Sequence, residues 1–111
     1  MNTDEKPMQI ARLNDLFRRS LSGGRVMMTS GVRGLGQDLL IEAVNAVRCF
    51  TQFDQANDPH NEHDFGRVDV AGHELFWKID YYDPTLTFHS PDAADPNRTV
   101  RVLTLMLAEE Y

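Results

Sequence analysis

Residues 54–64 concentrate the groups that could do chemistry in this chain. Asp54, Asp58, Glu62 and Asp64 supply four carboxylates, His60 and His63 supply two imidazoles, and no Lys or Arg interrupts them. Imidazole nitrogens and carboxylate oxygens are the ligands that Zn²⁺, Mn²⁺ and Fe²⁺ take from proteins. His63 and Asp64 would centre such a site, with Asp58, Glu62 and Asp80 as further ligands. The spacing differs from a helical His-Glu-x-x-His site, whose two histidines lie one turn apart on one face. The plainer reading is a solvated loop whose Asp and Glu side chains cap backbone N–H groups.

Three other segments carry weaker signals. Ser30 to Gly36 follows an apolar run and precedes a helical pattern, the order in which backbone N–H groups can cradle an anion. It lacks the Gly-Lys-Ser/Thr ending of a phosphate-binding loop, so a tight turn with glycines at positive φ is preferred. Trp77, Lys78, Asp80, Tyr81, Tyr82 and Asp83 could form a binding face, against core packing for Trp77 and Tyr81 and a Lys78–Asp80 pair. His89, Ser90 and Asp92 are near neighbours in sequence, whereas a triad needs fixed hydrogen-bond geometry and an oxyanion site. No catalytic residue is assigned. Cys49 reads as a partly buried structural thiol.

Bulk properties bound these readings. At 111 residues, 41% hydrophobic and 25% charged, the chain fits one domain, expected over 8–111 behind a polar tail at 1–7. The single cysteine excludes an intrachain disulfide and a Cys-rich zinc site, and a reducing cytoplasm is the natural setting. Charged residues interrupt the first 21 positions, unlike a secretory signal, and no apolar run is long enough to cross a bilayer. Residues 1–50 carry seven Lys/Arg against five Asp/Glu, a balance of +2, while residues 51–111 carry four against twelve, a balance of −8. An acidic half repels nucleic-acid backbones and attracts a basic protein or a cation.

The elements that must position these groups follow from periodicity. Ile10, Leu13, Phe17 and Leu21 share one helical face, and Gly23-Gly24 reads as the stop. Val26 to Thr29 reads as a strand, and a second helix starts near Gln37 with Leu39, Leu40, Ala43, Val44, Val47 and Phe50 inward. Phe65 to Val70 and His73 to Tyr82 read as two strands joined by a tight turn at Ala71-Gly72. Leu75, Trp77, Ile79 and Tyr81 would share the buried side. A loop over 83–98 precedes a last strand, Thr99 to Ala108, which is apolar on both faces and therefore central in the sheet. The expected fold is α+β in the order α-β-α-β-β-β, two helices on one face of a mainly antiparallel four-stranded sheet.

Several strings also carry a resemblance. Asn14-Asp15 with Arg18, Thr29-Ser30-Gly31-Val32, Asn57-Asp58-Pro59 and Glu62-His63-Asp64-Phe65-Gly66 form the first part of it. Phe76 to Asp83, and Arg101-Val102-Leu103-Thr104 through Ala108-Glu109-Glu110-Tyr111, form the rest. Together they resemble a small bacterial family of unknown function, found mostly in proteobacteria and often near mobile-element genes. The resemblance implies a setting and names no activity. The leading expectation is a non-enzymatic, cytoplasmic interaction protein that modulates or inhibits a basic, nucleic-acid-binding host protein. Asp58, Glu62, Asp64, Asp80 and Asp83 would meet that partner, with no cofactor, no direct nucleic-acid binding and no membrane. The competing expectation is a divalent-metal site or small metal-dependent enzyme at 58–64, built on His63 and Asp64. A homodimer through the exposed hairpin edge is the third.

Overall fold

The computed structural model describes residues 5–111, and its first helix, α1 (Glu5–Ser20), begins earlier than the apolar stripe implies. Pro7 sits in the first turn, where its missing N–H has no intrahelical acceptor to lose. Of the polar tail expected at 1–7, residues 5–7 therefore belong to α1, and residues 1–4 lie outside the described residues. The residue that leaves the helix in a left-handed conformation is Leu21 (φ 57°), not a glycine.

Strand β1 (Arg25–Met28) leads into a short helix, α2 (Ser30–Arg33), where the sequence suggested only a turn. Thr29 caps α2 by accepting from the Val32 N–H. Among the three glycines of this segment, only Gly36 has positive φ (94°), immediately before α3 (Gln37–Arg48). Ala43 and Val47 are the buried residues of α3, and Cys49, just beyond it, is exposed rather than partly buried.

Strands β2 (Phe65–Val70) and β3 (His73–Tyr82) form the expected hairpin. Ala71 (φ 50°) and Gly72 (φ 84°) are both left-handed, the pair that a two-residue type I′ turn requires. Strand β4 (Val100–Leu107) is central, and the sheet order is β1-β4-β3-β2. The sheet is mixed: β2–β3 and β3–β4 are antiparallel, and β1–β4 is parallel. The parallel register sets Val26 beside Leu103 and Met28 beside Leu105, so both members of each pair join the core side.

Ile10 and Phe17 of α1, Val32 of α2, and Ala43 and Val47 of α3 share one core with Leu75, Trp77, Ile79, Tyr81, Leu103 and Leu105. The alternate residues of β3 and β4, including Phe76, Lys78, Asp80, Tyr82, Val100, Val102 and Thr104, remain half-exposed on the opposite side. Loop 83–98 is built by its own side chains. Asp83 accepts from the Thr85 hydroxyl and from the Thr87 and Phe88 N–H groups, and Ser90, Asp92 and Thr99 bond one another and the backbone. Among the described residues, no helix is long and apolar enough to cross a membrane.

Candidate functional site

Helix α1 carries a polar group where the core stripe calls for an apolar one. Asn14 lies between Ile10 and Phe17 on the inward face and is fully buried. Its Nδ2 donates to Tyr81 Oη at 2.8 Å and to the Glu62 carbonyl at 2.9 Å. Its Oδ1 accepts from Arg101 Nε at 2.6 Å. Tyr81 in turn donates to Glu62 Oε1 at 3.0 Å, and Arg101 also donates to the Ala93 carbonyl. Every amide atom of Asn14 is thus used, which is the condition for burying it without a desolvation penalty. Burial pushes the Tyr81 hydroxyl well above its ordinary value, so it stays a donor. Burial also lowers the Arg101 guanidinium from its ordinary value.

One turn further along α1, Arg18 is 1% exposed. It donates to the Val47 and Arg48 carbonyls at the end of α3 and to Asp15 Oδ1 at 2.9 Å. A cation at a helix C-terminus satisfies orphan carbonyls and complements the dipole. The arrangement is reciprocal, because Arg48 of α3 donates to the Arg19 carbonyl near the end of α1. The Arg18 guanidinium lies 5.5 Å from the Phe53 ring centre and 5.4 Å from that of Trp77, a cation–π arrangement.

Asp15 connects this cluster to residues 54–64. Its two oxygens each lie 3.0 Å from His63 Nδ1, which donates to them. The His63 ring stacks on Phe53 at 4.0 Å, with 1° between the planes, and His63 Nε2 stands 3.8 Å from Asp58 Oδ2. Asn61 and His63 both take left-handed backbone conformations, with φ of 58° and 56°. Asp58 offsets that strain: it is buried, and its Oδ1 accepts the Glu62 and His63 N–H groups at 2.9 and 3.1 Å.

The sequence-expected carboxylates therefore part company. Asp58 and Glu62 are turned into the network, and Asp64 is half-buried at the start of β2. Burial, followed by the nearby Glu62 charge, raises the Asp64 carboxyl above its ordinary range. Asp80 lies on the opposite side of the sheet from Ile79 and Tyr81, paired with Lys78 at 3.1 Å, and Asp83 folds its own loop. For the expected metal pair, Asp15 and Asp58 flank the His63 ring, while Asp64 has no bond to it. Among the described residues, no three His, Cys, Asp or Glu side chains form a group that could hold a metal ion.

Residues 28–110 match the model of a family described as "Protein of unknown function (DUF3768)". The chain belongs to this family. No curated protein and no solved structure matches it. The DUF3768 match begins at the end of β1, so Asn14, Asp15 and Arg18 precede it, yet the fold seats all three against family residues 47–101. Sequence reasoning singled out Asn14, Asp15 and Arg18 only as part of a resemblance and gave Arg101 no role. The signal available was a break in pattern, since Asn14 and Arg101 occupy inward positions that periodicity reserves for apolar residues.

An Asp–His pair can orient an imidazole for general-base work on a hydroxyl, thiol or water at the free nitrogen. In this DUF3768 chain His63 Nε2 faces a carboxylate instead, and its Nδ1 is held by Asp15. Beside the pair runs an open groove of about 410 Å³ bordered by Met8, Arg12, Leu16, Arg19, Asn61 and His63. The geometry is that of a polar clamp. It fixes the 54–64 loop to α1, with Asp15 and His63 both bordering the groove.

Proposed function

We propose that this chain is a non-enzymatic interaction protein that presents the outward side of its sheet to a protein partner. The observation that carries the reading is the composition of that side. Phe65, Phe76, Tyr82, Val100 and Val102 are half-exposed there, and Met27 is 49% exposed. Phe65, Phe76 and Tyr111 form one aromatic cluster with ring centres 5.3–5.7 Å apart. Exposed apolar surface of this extent on a small domain marks contact surfaces, and aromatic residues dominate the energy of such contacts. The polar groups that could support catalysis are meanwhile engaged with one another.

Modulation of a basic, nucleic-acid-binding host protein is the specific form of this reading that the acidic composition suggests. Of the five carboxylates first assigned to it, Asp80 stands on the outward side beside Lys78 and Asp83 accepts from its own loop, while Asp58, Glu62 and Asp64 serve the opposite side. The test is affinity purification at low and moderate salt with the native chain, Val102→Glu and the double variant Asp80→Asn/Asp83→Asn. A partner retained by the native chain and lost with Val102→Glu supports the reading. Identical recovery with all three, their folds verified by circular dichroism, removes it.

A further inference from the structure

The outward side of the sheet has a charge inventory unlike the rest of the molecule. The whole chain has a formal charge of −6. The side chains that alternate outward on β1, β2 and β3 include Arg25, Arg67 and Lys78 against Asp69, Glu74 and Asp80, a balance of zero. Most of these charges are already matched within the face. Lys78 meets Asp80 at 3.1 Å, and Arg67 meets Asp69 at 3.2 Å and Glu74 at 3.7 Å. A strongly basic partner gains little from a surface whose acids are neutralised, and a strongly acidic one gains as little.

We infer that the occupant of this face is a second copy of the same chain, packed sheet to sheet about a twofold axis. The inference rests on the reading of the outward side as an interaction surface and names its partner. Three features favour a copy. First, a twofold axis near Lys78 and Asp80 sets the lysine of one protomer against the aspartate of the other, so the charged centre is self-complementary. Second, two chains that repel through their net charge associate best through the face that carries none. Third, the shape fits: two sheets of the same twist pack aligned at about 30° with side chains interdigitated. Phe76, Tyr82 and Val102 would fill the centre, with Met27 of the edge strand β1 and the Arg67 cluster at the rim.

Sedimentation velocity of the full chain from about 10 to about 200 µM, at moderate and high salt, tests the inference. The expected result is a concentration-dependent species of twice 12.7 kDa. Val102→Glu is expected to weaken it about tenfold or more with an unchanged circular dichroism spectrum. Lys78→Asp alone and Asp80→Lys alone should each weaken the dimer, whereas mixing the two single variants should restore association as a heterodimer, because opposite charges then meet only across the axis. That restoration separates an interface effect from a folding defect, since each single variant still lacks its own Lys78–Asp80 pair. A native chain that stays monomeric throughout overturns the inference. So does a dimer indifferent to Val102→Glu and to the charge exchanges, which would place the interface elsewhere. If the native chain is monomeric and Val102→Glu still abolishes capture of a foreign protein, the second-copy inference fails while the interaction reading survives.

Discussion

His63 Nδ1 stands at 3.0 Å from both carboxylate oxygens of Asp15, forty-eight residues earlier in the chain. The same carboxylate holds Arg18, so one side chain of α1 ties together the 54–64 loop and the end of α3. Asp15→Asn is expected to cost about 2 kcal/mol, because a charge-assisted contact is weakened on each side. His63→Gln should cost about 1 kcal/mol. If the two act through one contact, their double variant costs less than the sum, measured as midpoints in a denaturant series. Strict additivity would show that the pair is not coupled.

Tyr81 supplies the pH-dependent prediction. Burial raises its hydroxyl above the ordinary phenol value of 10.0 in the folded state. A raised folded value contributes stability that is fully present below the unfolded value and is lost as pH rises through the folded one. Native stability is therefore expected to fall as pH climbs above 10.0. Tyr81→Phe should be less stable than the native chain at neutral pH by about 1–3 kcal/mol, since Asn14 and Glu62 lose their shared partner. That deficit should narrow on the alkaline side. Ultraviolet titration should find one of the three tyrosines ionising only with unfolding.

Gly66 is packed face to face with an indole. A Cβ at this position would fall onto Trp77 Nε1, with Cε2 only 2.7 Å away, and Trp77 is fully buried. Gly66→Ala is expected to destabilise by about 1–3 kcal/mol through forced overpacking and to shift the emission of the single tryptophan. An unchanged midpoint and spectrum would mean the hairpin yields more easily than its packing indicates.

Asp64 gives an opposite sign from the usual carboxylate. Its raised value means its ionised form is disfavoured by folding, first through burial and then through Glu62. Its contribution is fully present below the unfolded carboxylate value of 3.8 and is lost as pH rises through the folded one. Asp64→Asn is thus expected to raise the thermal midpoint at neutral pH, with the difference vanishing under acid conditions. Chelation should leave the native midpoint unchanged. A drop on chelation, reversed by added Zn²⁺ or Mn²⁺, would bring back a metal role for His63 and Asp64.

The β2–β3 hairpin was legible residue by residue, because alternation and a turn of Ala71 and Gly72 are local signals with a period of two. The central place of β4 was legible from its apolar residues on both faces. The mixed sheet was not, since nothing in Arg25–Met28 specifies a parallel partner seventy-odd residues away. The short helix at Ser30–Arg33 was hidden behind glycines, whose presence signals freedom rather than a conformation.

The acidic stretch at 54–64 shows the same division at the candidate site. Its composition was plain, and so was the plainer reading in which an Asp caps backbone groups, as Asp58 does. The partners that complete it, Asn14, Asp15, Arg18, Tyr81 and Arg101, come from three other elements. The sequence by itself determined the inward residues of the hairpin strands, because they follow a period of two within one element, while along α1 it marked Ile10 and Phe17 but not the buried Asn14 and Arg18. Only the tertiary structure decided which inward polar groups meet. A buried amide or guanidinium is tolerated when donors and acceptors coincide to within a few tenths of an ångström, and that coincidence belongs to the packing of separate elements.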